Sequence, residues 1–179
     1  AIKIDDLAEF CKSNKIKSIG LADSYNLCGA LEFSEKLSKV GTQPIIGTQI
    51  NLKVQNTIGK ITLYATSEQG FKNLTKLSSS SYLKNKETED PSCDLNDLIS
   101  NNEDLILLTG NYYNFFGKLF YANKIKDFEK ILTSLKSHFN KKKRKGFIQD
   151  YKEILKQKKI TDDYFSRNTF DWILVLKDY

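Results

Sequence analysis

Histidine is almost missing from this sequence: the 179 residues contain one, His138. A metal site with two or three imidazole ligands is therefore excluded, and so is the carboxylate–histidine site usual in phosphodiesterases. His138 lies at the end of a predicted amphipathic helix, where a cation is favourable to the helix dipole. We favour this structural role over that of a catalytic base, and we expect no catalytic residue, metal or cofactor in the chain.

Cysteine and long apolar runs are also scarce. Cys11, Cys28 and Cys93 lie far apart, and an odd number without a close pair argues against a disulfide framework and against a cysteine-rich zinc site. We expect Cys11 and Cys28 to be buried free thiols on helix faces. No apolar run approaches the roughly 20 residues that span a bilayer, and no secretory signal opens the chain. These absences predict a cytoplasmic protein that does not contact a membrane.

The residues that are present predict a globular α/β fold. Hydrophobic residues make up 40% of the chain and charged residues 28%, proportions typical of a folded domain. Apolar periodicity predicts strands at 17–22, 44–54, 60–65 and 104–109, and helices at 4–14, 27–41, 67–81, 95–99 and 125–135. Because strands and helices alternate, we expect a mainly parallel sheet, with a hairpin where residues 56–59 join two strands.

Four local expectations depend on side-chain type. Ser67 is predicted to cap its helix, whose buried stripe is formed by Phe71, Leu74, Leu77 and Ser81. Residues 23–26 form a polar turn, and residues 84–93 form an exposed loop. Aromatic residues follow at a spacing that favours packing in a helix or turn over base stacking. They are Tyr112, Tyr113, Phe115, Phe116, Phe120 and Tyr121.

A net charge of +6 is concentrated in one basic run. The run consists of Lys141, Lys142, Lys143, Arg144 and Lys145. Two interpretations stay open: contact with a nucleic-acid backbone and a solvated loop between a helix and a strand.

Four segments, taken in order, resemble a known family. They run from Ile19 to Phe33, from Gln43 to Ile50, from Leu63 to Leu74 and from Asp104 to Gly110. Together they are similar to the polymerase-and-histidinol-phosphatase (PHP) domain of the bacterial DNA polymerase III alpha subunit. The resemblance implies an incomplete or distorted (β/α) barrel over residues 1–140, with the family's first strand missing. Residues 141–179 would then form a basic loop, a helix and a degenerate tail.

The resemblance also implies where metal ligands stood. Metal-binding members carry Asp-His after the second strand, where this chain has Asp23 and Ser24. A glutamate position holds Gln49, and a histidine position holds Lys60. A Cys-His pair later in the family is replaced by 111–112, which reads Asn-Tyr. A neutral amide is a poor ligand, and an ammonium stands where a cation would sit, so we expect a vestigial metal site.

Asp23 has two interpretations. It is either a relict metal ligand, or a structural residue that is solvated in the turn or caps the helix beginning near Asn26, and we favour the structural interpretation. A further hypothesis follows from the opposite charges at two former ligand positions. It is that Lys60 forms an ion pair with Asp23 in place of the lost metal.

The function that the resemblance implies is DNA replication. The alpha subunit is a DNA-directed DNA polymerase, a nucleotidyltransferase, whose palm carboxylates would lie beyond residue 179. We therefore expect a non-catalytic PHP domain with a structural and subunit-docking role. Its partners would be the remainder of the alpha subunit, the proofreading exonuclease subunit and DNA. The alternatives are an active metal-dependent phosphoesterase or 3'–5' exonuclease, and a small nucleic-acid-binding module.

Overall fold

A computed structural model describes residues 3–86, 89–111 and 113–139. The helices are α1 (Ile4–Ser13), α2 (Ala30–Lys39), α3 (Glu68–Leu83), α4 (Leu95–Ser100), α5 (Phe115–Tyr121) and α6 (Ile125–Phe139). The strands are β1 (Ser18–Ser24), β2 (Gln43–Val54), β3 (Thr57–Ala65), β4 (Ser92–Asp94) and β5 (Leu105–Leu108). The basic run at 141–145 and the predicted tail to residue 179 lie outside the described residues, as does Tyr112. None of the described helices is long and apolar enough to cross a membrane.

One sheet organises the molecule, in the order β1-β2-β3-β5, with β4 also paired to β2. The β1–β2 and β2–β4 pairs are parallel, whereas the β2–β3 hairpin and the β3–β5 pair are antiparallel. Four strands therefore run in one direction and β3 returns in the other. The predicted α/β fold with mainly parallel strands and a hairpin is confirmed, although half of the pairings are antiparallel. Within the described residues the sheet stays open, because β1 and β5 each pair on one side, so it forms an incomplete barrel.

Side chains alternate between two faces of this sheet. On the face that we call outer, Ile50 and Leu52 of β2 pair with β3 positions and are fully buried. The helices pack there in two apolar clusters. The larger cluster joins β2, β3 and β5 to α3, α4, α5 and α6, and the smaller one joins α1 and α2 to β1. The opposite, inner face carries Gln49, Asn51 and Lys60, and it positions the candidate site.

Local chemistry explains where the elements begin and end. Ser67 caps α3 as predicted, because its Oγ accepts a hydrogen bond of 3.1 Å from the Gly70 N–H. Asp94 caps α4 in the same way through the Asp97 N–H. The β2–β3 turn is shorter than predicted: residues 55–56 connect the strands, since Val54 already pairs with Thr57.

Several local predictions were wrong. β1 continues through Ser24, so residues 23–24 lie in a strand and not in a turn. α2 begins at Ala30, because the Asn26 side chain accepts a bond from the Cys28 N–H and holds a turn before the helix. Part of the predicted loop at 84–93 is strand β4, which tertiary pairing to β2 creates.

Two burial predictions were also wrong. Cys28 is exposed, since it lies in the turn before α2, whereas Cys11 is buried as expected. Phe71 is 39% exposed, while the other three residues of the predicted α3 stripe are buried. Residues 71, 74, 77 and 81 span an arc wider than the contact with the sheet, so Phe71 at its margin stays in solvent.

The capping bond gives a stability prediction. We expect Ser67→Ala to lower the free energy of unfolding by about 1 kcal/mol, because a helix N–H loses its acceptor. Ser79→Ala, at an exposed position on the same helix, is the matched control and should change stability by less than about 0.5 kcal/mol. Urea unfolding followed by circular dichroism measures both. Equal effects of the two substitutions would contradict the capping role.

The thiols give a second prediction. Burial raises the pKa of Cys11, and it raises the pKa of Cys93 to about 12, so both thiols stay protonated and shielded at pH 8. We expect one fast-reacting thiol per folded chain with a chromogenic disulfide reagent, and three after unfolding. Cys28→Ser should abolish the fast phase. A fast phase that persists in this variant would refute the observed burial.

Candidate functional site

Polar residues gather on the inner face where β1 ends. The strand register sets Ser24 beside Gln49 across the parallel β1–β2 pair. It also sets Lys60 directly opposite Asn51 across the antiparallel β2–β3 pair. Since Gln49 and Asn51 are two residues apart on one strand, their side chains share this face. Three of the positions that the resemblance singled out, Ser24, Gln49 and Lys60, are therefore brought together.

Their contacts form a chain across three strands. The Ser24 hydroxyl donates to Gln49 Oε1 at 3.1 Å, and Lys60 Nζ lies 3.4 Å from Ser24 Oγ. The same ammonium lies 5.0 Å from the centroid of the Tyr25 ring, within the range of a cation–π interaction. The Tyr25 hydroxyl donates to Asn51 Oδ1 at 3.3 Å. We call Ser24, Tyr25, Gln49, Asn51 and Lys60 the polar cluster.

Tyr25 enters the cluster through an uncommon backbone conformation. Its φ is +66°, a value that few residues other than glycine adopt. Its N–H donates to the Gln49 carbonyl at 2.7 Å, which fixes the residue just beyond the end of β1. Sequence reasoning missed Tyr25 because no spacing rule predicts a positive φ. It also missed Asn51, which the strand alternation from Gln49 would have found.

Asp23 is turned away from the polar cluster. Because neighbouring strand residues point to opposite faces, Asp23 faces the outer side while Ser24 faces the inner side. Asp23 Oδ2 accepts a hydrogen bond of 2.9 Å from the N–H of Gly29, the residue that precedes α2. The Thr48 hydroxyl lies 2.9 Å from the Asp23 carbonyl and holds the same turn. Asp23 therefore accepts a hydrogen bond in the turn that leads into α2.

The predicted ion pair between Lys60 and Asp23 was wrong. No salt bridge joins them in the part of the chain that the structure describes, where the two side chains have other partners. The physical reason is the pleat of β1, which places the carboxylate on the opposite side of the sheet from the ammonium.

The chemistry of the polar cluster does not fit a divalent metal. Among residues 3–86, 89–111 and 113–139, no group of three histidine, cysteine, aspartate or glutamate side chains could hold an ion. The cluster itself combines an ammonium, two amides and two hydroxyls. Gln49 Oε1 already accepts from Ser24, and the positive charge of Lys60 would repel an incoming cation.

Tyr64 forms the floor of the inner face beside the polar cluster. A methyl group at position 47 would lie 2.5 Å from Cδ1 of Tyr64, and one at position 20 would lie 2.9 Å from Cε1. Glycine at both positions therefore lets the ring lie flat across β1 and β2. Burial raises the pKa of Tyr64, so its hydroxyl stays neutral in the ordinary pH range.

The remaining sequence candidates lie elsewhere. His138 is in the last turn of α6, where its Nδ1 lies 2.7 Å from the carbonyl of Ser134 in the same helix. Its own carbonyl accepts from Asn102 at 2.7 Å, which fastens the helix end beside β5. The contacts of His138 are thus those of a structural residue. Asn111, where the resemblance implies a Cys-His pair in other members, accepts from the Tyr113 N–H in a local turn.

Comparison with known proteins identifies the family of the chain. The family model described as the PHP domain matches residues 1–159, which is most of the chain. The chain belongs to the PHP domain family.

The curated relatives place the resemblance more narrowly. The chain is 43% identical over 109 residues to DNA polymerase III subunit alpha of Rickettsia felis, which covers 60% of the chain and 9% of that protein. It is 33% identical over 143 residues to the Caulobacter vibrioides subunit, and this match covers 75% of the chain and 12% of that subunit. It is 34% identical over 150 residues to the Borreliella burgdorferi subunit, and this match covers 78% of the chain and 13% of that subunit. The predicted resemblance is confirmed, and the chain spans about a tenth of the length of these relatives.

A solved structure described as that of a metal-dependent phosphoesterase from Bifidobacterium adolescentis was also found. The alignment covers 46% of this chain and 29% of the phosphoesterase chain, with a TM-score of 0.36 and 14% sequence identity. A likeness this slight carries no argument about function.

A double-mutant cycle tests the separation of Asp23 from Lys60. We expect the stability effects of Asp23→Asn and Lys60→Met to add within about 0.5 kcal/mol, because the two groups share no contact. Asp23→Ala alone should lower the free energy of unfolding by about 1 kcal/mol, since the Gly29 N–H loses its acceptor. Chemical unfolding of the four forms supplies the measurement. A coupling well above 0.5 kcal/mol would restore the ion-pair hypothesis.

Proposed function

We propose that this chain is the PHP portion of a DNA polymerase III alpha subunit that acts in DNA replication in the cytoplasm. Its role is structural and docking, and it is not catalytic. One observation carries the proposal: Ser24, Gln49 and Lys60 converge on one face of the sheet at positions where the resemblance implies metal ligands.

The composition of this face argues against phosphoester hydrolysis. A metal-dependent hydrolase needs ligands that hold an ion and lower the pKa of its bound water. The polar cluster offers no carboxylate, and Asp23, the one acidic residue retained at these positions, is bonded to Gly29 on the other face. An ammonium cannot supply the Lewis acidity that the ion would bring.

A structural role agrees with the different composition of the two faces of the sheet. The outer face holds the apolar core, which consists of two clusters of hydrophobic side chains. Beyond the core, α3 exposes Phe71, Tyr82 and Leu83, and Leu83 is 84% exposed. Exposed large apolar side chains along one helix suit contact with further protein. Since the polymerase relatives are about ten times longer than the matched segment, the remainder of the alpha subunit is the first partner we propose.

The proofreading exonuclease subunit is the second proposed partner, and DNA is the third. We expect the chain to retain the exonuclease subunit in a pull-down and to do so equally with and without a chelator, because the proposed docking needs no metal. Substituting Phe71 and Leu83 together by serine tests whether the α3 surface contributes to docking, in which case the variant should retain less of the exonuclease subunit. The matched control is Thr75→Ser with Ser79→Thr, which alters exposed positions on the same helix without removing an apolar side chain.

Three results would separate this proposal from its alternatives. Stoichiometric zinc or manganese in the purified chain, with chelator-sensitive phosphoesterase or 3'–5' exonuclease activity, would replace it by a catalytic role. Salt-sensitive DNA binding without exonuclease binding, lost when residues 141–145 are neutralised, would replace it by a nucleic-acid-binding module. Retention of the exonuclease subunit without metal would support it.

A further inference from the structure

The polar cluster has an excess of hydrogen-bond donors. Its two hydroxyl donors are used internally, by Gln49 Oε1 and Asn51 Oδ1. These bonds orient both amides, so that Gln49 Nε2 and Asn51 Nδ2 have no hydrogen-bond partner among the described residues. Each amide nitrogen carries two N–H groups, and the ammonium of Lys60 carries three, of which one at most is directed at Ser24 Oγ. Several donors on this face therefore have no protein acceptor among the described residues.

Asn51 shows that these donors reach a common surface. The residue is 4% exposed, yet no buried side-chain nitrogen or oxygen is left without a partner in the described part of the chain. Its Nδ2 therefore keeps contact with solvent at the inner face. A nearly buried amide with a free N–H edge is uncommon, since buried polar groups are usually paired.

Geometry brings the three donors together. Asn51 and Lys60 are directly opposed across β2 and β3, which places their Cβ atoms about 5 Å apart. Gln49 follows two residues away on the same face, at roughly 7 Å. An ion held between them would meet donors from two strands. Its oxygens would also lie near the positive charge of Lys60.

No carboxylate competes for this position in the described chain. Asp23 points to the outer face and is bonded to Gly29. Glu89 lies further along the sheet, 3.9 Å from Lys53. Lys60 itself forms no salt bridge among the described residues, and its one ring contact, with Tyr25, leaves the ammonium N–H groups free to donate.

We propose that the polar cluster is a metal-free binding site for an oxyanion of the phosphate type. Lys60 Nζ, Gln49 Nε2 and Asn51 Nδ2 are its donors, and Tyr25 and Ser24 orient them. The unesterified oxygens of a phosphate group are tetrahedrally arranged and each accepts more than one hydrogen bond, so the group can bond three donors that do not lie in one plane. The two oxygens of a carboxylate accept mainly within one plane. The site concerns the same residues as the proposed function but does not depend on docking to any subunit.

The test uses the full chain in the presence of a chelator. Inorganic phosphate is titrated while binding is followed by calorimetry and by the rise in melting temperature. We expect saturable binding with a dissociation constant on the order of 1 mM, because the face is open and one formal charge is available. Lys60→Gln should weaken binding at least tenfold. Lys76→Gln, the same charge change on α3, is the matched control and should bind as the parent chain does.

A second variant keeps the test decisive if Lys60→Gln alters folding. Gln49→Glu keeps the size of the side chain and introduces a negative charge beside the site, so it should abolish phosphate binding while circular dichroism stays unchanged. Equal, non-saturating responses in the parent chain and in both Lys60→Gln and Lys76→Gln would overturn the proposal. So would phosphate binding that requires added zinc or manganese.

A parallel titration identifies the source of the phosphate group. If a short single-stranded oligonucleotide displaces inorganic phosphate and its binding also depends on Lys60, the site accepts a phosphodiester. If the oligonucleotide leaves phosphate bound, the site accepts free phosphate. Both results support an oxyanion site. Failure of all phosphate binding would leave the exonuclease pull-down unaffected, so the two proposals fail independently.

Discussion

The alternation of side chains along β2 is the constraint on which the rest of the structure depends. β2 pairs with β1 and then β4 on one side and with β3 on the other. The pleat of β2 therefore determines which side chains of these four strands point to the inner face and which to the outer face. Ile50 and Leu52 point into the apolar core, and the residues between and beside them, Gln49 and Asn51, point to the polar cluster. A slip of one residue would exchange the two faces, burying amides and exposing the core.

The same pleat decides which of the positions named by the resemblance remain neighbours. Asp23 and Ser24 are adjacent in the sequence, but one faces the helices and the other faces Lys60. A resemblance between linear motifs groups these residues because it compares positions along the chain. The three-dimensional site includes only those whose side chains point to the inner face. It adds Tyr25 and Asn51, which the resemblance does not name as ligand positions.

Sequence periodicity was sufficient for elements that are long and strongly amphipathic. It predicted α1, α3, α6 and the β2–β3 hairpin, and the hydroxyl at Ser67 predicted a cap. It failed for β4, which has three residues and exists because β2 offers an unpaired edge beyond the end of β1. It also failed for Cys28 and Tyr25, whose positions are set by a turn and a positive φ. Such features depend on tertiary partners, which local patterns do not contain.

Separation of the core from the polar cluster explains how a PHP fold can tolerate Lys60. Ile50, Leu52, Ile61 and Leu63 are fully buried on the outer face, so the hydrophobic stabilisation of the sheet does not involve the polar side. An ammonium on the inner face remains half-buried and keeps part of its hydration, which avoids the large penalty of a fully buried charge. Its contact with the Tyr25 ring and Ser24 then connects β1 to β3. The ammonium of Lys60 thereby places a positive charge on the inner face that requires no carboxylate ligands.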